Sequence, residues 1–212
     1  MDGEKTAKFN KFLAVDTASS HLTALAVNGE KVVRRYIENC ALKHSVLLMD
    51  EVGAAMDGAF LSPSDCDFFC AVTGPGSFTG IRIGISAAKG FALAVKKPLM
   101  PLTSFELIAY NVNADDFYAV IDAAHGHLYA CRFTRAGGEL RCGQPEYISA
   151  EELAGSGLPL FGFQPLELLR YTVLDGGACL RPAVEKKLES GQPFSQMHAL
   201  YVRKSQAEEG RR

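Results

Sequence analysis

The chain has no surplus of basic charge: 22 Lys and Arg stand against 24 Asp and Glu, a formal net charge of −2. That excludes a protein that grips nucleic acid on its own by neutralising phosphates, so contact with RNA would require a partner. None of the six cysteines (Cys40, Cys66, Cys70, Cys131, Cys142, Cys179) belongs to a Cys-x-x-Cys pair, and reduced, mostly buried thiols are expected rather than a zinc site or a disulfide framework. The longest apolar helix is broken by Arg82 and Lys89 and falls short of the run of about 20 apolar residues that crosses a bilayer, so no membrane role is expected. The first residues, MDGEKTAK, are charged and lead directly into a strand-like segment, without the apolar stretch of a secretory signal. A cytoplasmic location follows as an expectation. Missing too are the Gly-Lys-Ser/Thr end of a P-loop, the last glycine of a dinucleotide fingerprint and a Gly-x-Ser-x-Gly elbow. No serine has an evident His and Asp partner set.

The apolar content of 48% over 212 residues provides for one large domain or two small ones sharing a cleft. Three consecutive strands are expected at Phe9 to Asp16, Leu22 to Val27 and Lys31 to Glu38, with Asn28-Gly29 as the hairpin signal between the last two. From Lys43 to Asp57, Leu48, Met49, Val52, Ala55 and Met56 share one face of an amphipathic helix. Ser62 to Asp65 separates it from the apolar strand that leads into the glycine-rich GPGSFTG turn at 74–80 and a second helix to Val95. A short parallel strand ending at Leu102 and a helix from Thr103 to Tyr110 complete a βββαβαβα order. The second half begins alike, with strands at Phe117 to Ile121, Leu128 to Phe133 and Gln144 to Ile148, and a capping box at Ser149 to Glu152. Shared element order suggests a duplicated fold. Beyond Leu158 a strand at Pro159 to Phe163, a helix at Pro182 to Glu189 and another at Gln196 to Gln206 are expected.

On a wheel of about 100° per residue the second helix places Arg82, Ser86 and Lys89 in one narrow sector and apolar residues over roughly 220°. Gly80, Gly84, Ala88 and Ala92 form a smooth stripe on which another helix can approach closely. The expectation is a helix packed from two sides, the second side lying in another chain.

Other candidate sites each have a plain structural alternative. The GPGSFTG turn has the wrong spacing for a phosphate cradle and reads as a tight strand-to-helix turn capped by Ser77 or Thr79. Asp16, in a loop without glycine, and Asp122, at the end of the matching strand, read as Asx-turn residues; their alternative is a nucleotide or Mg²⁺ role, the sole cofactor candidates in the chain. His125 and His127 lack an evident third ligand, so no metal is expected. His44 near a helix start reads as a packed or capping histidine or an interface contact.

LAVDTA at 13–18, TGPGSFTGIRIGI at 73–85, Lys97-Pro98, SFE at 104–106, VIDA at 120–123 and LYVR at 200–203 together resemble the TsaB (YeaZ) family. The likeness covers nearly all of the first half and thins from about Ala136 to Ala199. It implies an α/β, actin-like ASKHA (ribonuclease H-like) fold of two lobes: 1–102, joined by the helix at 196–206, and a degenerate lobe at 103–195. It also implies a non-catalytic subunit for threonylcarbamoyladenosine formation in tRNA, one that pairs with TsaD through its first two helices, the pair then recruiting the ATPase TsaE, with tRNA reached through the complex. Carried onto this chain, the pairing surface comprises His44, Leu47, Leu48, Glu51, Val52, Ala55, Gly80, Gly84, Ala87, Ala88, Phe91 and Ala92. Isolated chains would pair through the same patch. TsaD-like chains carry two metal-binding histidines in an NHLEAH-type helix; Ser104 and Ile108 stand at those positions here. Ala124 and His127 replace an Arg and a Glu of a DARxGEVY-type run. The rival expectations are an actin-like ATPase or phosphotransferase using Asp16 and Asp122, and a metallopeptidase-like hydrolase.

Overall fold

A computed structural model describes residues 9–168, 170–191 and 193–203. The first sheet contains β1 (Lys11–Asp16), β2 (Leu22–Asn28), β3 (Lys31–Ile37), β4 (Phe68–Val72) and β5 (Leu99–Leu102), in the order β3-β2-β1-β4-β5. β1 pairs antiparallel with β2 and parallel with β4. Five of six residues of β1 and all of β4 are buried, as expected of central strands covered on both faces. Edge strand β3 is partly exposed throughout.

The second sheet repeats this plan. β6 (Asp116–Asp122) pairs antiparallel with β7 (His127–Ala136) and parallel with β10 (Leu160–Gly162). β8 (Glu139–Cys142) and β11 (Tyr171–Val173) close the order β11-β10-β6-β7-β8, and β9 (Glu146–Ser149) adds to β7. The duplication expected from element order is therefore present strand for strand. β8 escaped the sequence reading, although Gly137 and Gly138, both at positive φ, form the turn before it.

α1 (His44–Gly58) and α2 (Phe78–Val95) pack on the first sheet, α1 over β2 and β3 and α2 over β4 and β1. α5 (Gly176–Glu189) packs against β1 and β2 and sends Cys179, Leu180, Ala183 and Val184 into the core of the first sheet, though its sequence lies in the range assigned to the second lobe. It starts six residues before Pro182, because Asp175 caps it by accepting from the Gly177 N–H at 2.9 Å. α3 (Ser104–Ala109) joins the two cores, Leu107 lying in the first and Phe105, Ile108 and Ala109 in the second. The capping box expected at Ser149 opens α4 (Ala150–Ala154).

Two expectations are corrected. Residues 193–203 form an extended strap instead of a helix, and 204–206 of that expected helix lie outside the described residues. The Ser195 N–H donates to Leu99 O and the Leu200 N–H to Thr73 O, while Phe194 packs on Phe9 and Phe68, so the backbone donors a helix would need are taken by the first lobe. The other correction concerns the small-residue stripe of α2. Gly80, Gly84, Ala88 and Ala92 are all buried within this chain. A Cβ at Gly80 would overlap Thr17 O, and one at Gly84 would lie 2.6 Å from Thr17 Oγ1, so the stripe is where the β1–β2 loop and sheet approach the helix. By length and composition α2 also meets the requirement for a membrane span, contrary to the sequence expectation, but this buried side packs on the sheet as a core helix does.

These contacts give opposite outcomes for two glycines of one helix. Gly80→Ala is expected to destabilise by about 1–3 kcal/mol through overpacking, whereas Gly90→Ala, with open space around its Cβ, is expected to stabilise by about 0.5–1 kcal/mol. Urea denaturation of both variants checks the pair.

Candidate functional site

The twelve residues carried onto α1 and α2 divide by burial. His44, Val52 and Ala55 of α1 join Gly80, Gly84, Ala88 and Ala92 inside the chain's own core and away from the outer face, Leu48 is buried beneath the groove between the two helices, and Leu47, Glu51, Ala87 and Phe91 are partly exposed. His44 is a structural histidine: it is 1% exposed, with Nδ1 3.0 Å from Ala41 O and Nε2 3.0 Å from His21 O. Glu51 accepts from Arg35 Nε at 2.7 Å, which holds the guanidinium pKa above its ordinary value. Phe91 stacks on Phe69.

What the two helices leave open is a groove of about 510 Å³ between them, lined by Ser45, Leu48, Met49 on α1 and Thr79, Arg82, Ile83, Ser86, Ala87 on α2. Met49, expected in the core, is 54% exposed, and Val46 one turn earlier is 71% exposed. Arg82 is held at the rim: its guanidinium lies 3.7 Å from the Phe78 ring centroid and its Nε donates to the Tyr201 hydroxyl at 3.1 Å. Small and apolar residues at the floor with one fixed cation at the edge suit a helix docking into the groove. Sequence periodicity located these two helices but assigned the wrong side of α2, because Gly and Ala read alike whether they admit a partner or the chain's own backbone.

A second concavity, about 340 Å³, lies between the lobes. Its walls include Ser19 and Ser20 after β1, Gly76 and Ser77 before α2, Asp122 to Ala124 after β6, and Tyr171. Both candidate carboxylates form Asx turns: Asp16 Oδ1 accepts from the Ala18 N–H and Asp122 Oδ1 from the Ala124 N–H, each at 2.8 Å. Asp16 is 2% exposed and is not part of the cleft lining; Asp122 is exposed on it. Two of the donors at the start of α2 have partners within the chain: the Ser77 N–H donates to Ala18 O at 2.7 Å and the Gly80 N–H to Ser77 Oγ at 3.2 Å. The turn is a structural cap.

The sequence missed one constellation. Ser19 Oγ lies 2.7 Å from His21 Nδ1, and His21 Nε2 lies 3.5 Å from Asp16 Oδ2, so a serine does have histidine and aspartate partners. The same hydroxyl also accepts from the His21 N–H at 3.2 Å, which closes a local turn, and Nδ1 rather than Nε2 faces it, the reverse of the hydrolase arrangement. His125 and His127 do not converge: His127 stacks on Tyr147 at 4.7 Å, and among the described residues no group of three or more His, Cys, Asp or Glu is placed to hold a metal. Ser104 and Ile108 are buried, and Ser104 Oγ has no hydrogen-bond partner.

A family model for tRNA N6-adenosine threonylcarbamoyltransferase (TsaD) matches residues 31–167. The tRNA threonylcarbamoyladenosine biosynthesis protein TsaB of Bacillus subtilis is 31% identical over 119 residues, which cover 55% of this chain and 52% of that one. TsaB of Escherichia coli is 30% identical over 129 residues, covering 59% and 55%. YeaZ from Pseudomonas aeruginosa superposes with a TM-score of 0.75 at 22% identity, over 91% of this chain and 100% of that one. The chain belongs to the TsaB (YeaZ) family. Its two mixed sheets with flanking helices are the actin-like ASKHA fold. The matches to the curated TsaB proteins span between half and two thirds of their length.

The unequal burial of the two Asx-turn carboxylates in this TsaB-family chain yields a test. Asp16→Ala is expected to lower stability by about 1–3 kcal/mol, having orphaned a buried N–H, and Asp122→Ala by under about 1 kcal/mol. Equal losses in chemical denaturation would contradict the assignment of Asp16 to the core.

Proposed function

We propose that this chain acts in tRNA threonylcarbamoyladenosine biosynthesis as a non-catalytic subunit that binds TsaD through the α1–α2 groove and favours its tRNA-competent state. Family membership supports the pathway. The observation that carries the docking mode is the groove itself, lined by exposed Met49 and partly exposed Ile83 and Ala87 although both helices are otherwise seated in a core. Two helices meeting two from a partner would bury on the order of 1,600 Å², the size of a standard specific interface. The subunit then works by differential affinity: it binds one conformation of its partner better and shifts the population toward it, with no bond chemistry of its own.

The donor set supports a non-catalytic role. At the positions where the TsaD-like helix would carry metal-binding histidines stand a buried serine and a buried isoleucine, neither able to bind a divalent cation as an imidazole does. The ATPase alternative retains Asp122 on the cleft wall but loses Asp16 to the core. TsaE, tRNA, self-pairing of the isolated subunit and a cytoplasmic setting belong to the same proposal.

The docking test avoids Ala88, which is 2% exposed, because a charged side chain there would disrupt the core. Ala87→Glu places a carboxylate at the groove floor instead. It is expected to weaken binding to TsaD from the same cell at least tenfold by calorimetry, while Glu139→Lys on the distant β7–β8 hairpin leaves the affinity unchanged. Unaltered binding of a folded Ala87→Glu protein would remove the groove as the contact.

A further inference from the structure

Four of the six cysteines are withdrawn from chemistry. Cys40, Cys66, Cys70 and Cys179 are buried, and burial pushes the thiols of Cys66 and Cys179 up to about 12, where almost no thiolate forms near neutrality. Cys131 and Cys142 differ from them. Cys131, on β7, is completely buried beside Phe117 and Phe133, whereas Cys142, at the end of β8, is exposed. Their Sγ atoms are 2.9 Å apart. The hairpin that presents them is registered by the pairs from Phe133 and Cys142 to Ala136 and Glu139, and is extended by the Gly143 N–H donating to Arg132 O at 2.8 Å.

We propose that Cys131 and Cys142 are an oxidation site: a dithiol that a hydroperoxide converts to a disulfide tying β8 to β7. From 2.9 Å the sulfurs need to close by about 0.9 Å to reach the bonded separation, a distance that side-chain rotation supplies. The two thiols have unequal roles. The hydrogen bond between the two sulfurs, together with burial of Cys131, raises the Cys131 thiol above its ordinary pKa and holds that of exposed Cys142 below it, so the exposed sulfur is the first to meet a peroxide.

The steps balance as follows. The Cys142 thiolate attacks one peroxide oxygen, the O–O bond breaks, and the electron pair leaves with the second oxygen, which takes up a proton as an alcohol or as water. Cys142 is now a sulfenic acid. The Cys131 sulfur attacks the Cys142 sulfur, the S–O bond breaks, and the hydroxyl leaves as water with the Cys131 proton. Two thiols and one hydroperoxide give one disulfide, one alcohol or water, and one further water. Adjacency of the resolving thiol makes the second step intramolecular, so the sulfenic acid is consumed before it can go on to sulfinic acid.

The test uses the whole folded chain, treated with a slight excess of hydrogen peroxide and quenched by alkylation. A mass loss of about 2 Da in the unalkylated protein, reversed by a dithiol reductant, is expected. Trypsin cuts after Arg132, Arg135 and Arg141, so Cys131 and Cys142 leave on separate peptides, and their appearance as one linked species identifies the bond. Cys142→Ser, a change at an exposed position, should abolish the mass loss. Cys131→Ser should leave a Cys142 sulfenic acid that a dimedone-type probe captures. Cys142 carried to sulfinic acid with Cys131 still free, a Cys142 link between two chains, or the same mass loss in Cys142→Ser would each overturn the proposal.

Discussion

The contact on which the first lobe depends is the approach of Thr17 and Ala18 to the start of α2. Thr17 Oγ1 donates to Gly80 O at 2.6 Å, the Ser77 N–H donates to Ala18 O, and Cβ atoms at Gly76, Gly80 and Gly84 would each meet this loop. Only residues without a side chain permit so short a distance between a loop and a helix. Once the loop is seated there, the rotation of α2 about its axis is fixed: Ile81, Ile85, Ala88 and Ala92 turn toward β1 and β4, while Ile83, Ser86 and Ala87 turn outward beside α1. The GPGSFTGIRIG run is thus a packing signature first. Any surface it offers is a consequence of what it buries.

A second set of contacts fixes the lobes to each other. α3 contributes to both cores, and its capping carboxylate Glu106 accepts from the Thr103 N–H at 2.8 Å while its other oxygen lies 2.5 Å from Lys187 Nζ on α5. The strap adds a further tie. Leu200 bonds to Thr73, Tyr201 meets Arg82 and Phe78, and Arg203 donates to the Tyr147 hydroxyl of β9 at 2.9 Å. Residues distant in sequence thereby bridge the first lobe and the second sheet, and the interlobe cleft is walled by segments that are each anchored locally.

Local periodicity made the central elements legible. β1 and β4 are continuous apolar runs, α1 repeats at helical spacing, and the capping box at Ser149 places a helix start by side-chain chemistry that acts within four residues; the equivalent box at Thr103 emerges only in the structure. Signals failed where the deciding partner is far away in the chain. Whether the stripe of Gly80, Gly84, Ala88 and Ala92 faces a partner or a loop depends on Thr17, more than 60 residues earlier. The segment from Gln196 is expected as a helix from the sequence, yet the strap's hydrogen bonds go to Thr73 and Leu99. Ser19, His21 and Asp16 lie within six positions, but only the turn shows that one hydroxyl contacts both the ring and the backbone of His21.

The duplicated plan also shows how two equivalent positions diverge. Asp16 and Asp122 end matching strands and accept from the N–H two residues on at the same 2.8 Å, yet one is sealed beside His21 and the other faces the cleft. Closing the cleft around two carboxylates and a divalent ion would require both to be accessible, and the Asp16 turn would have to leave the core to become so. Such a move would unseat Ala18 from Ser77 and Thr17 from Gly80, the contacts that orient α2. In this chain the turn that buries Asp16 also carries the Thr17 and Ala18 contacts that orient α2, so the first carboxylate and the α1–α2 groove depend on one set of hydrogen bonds.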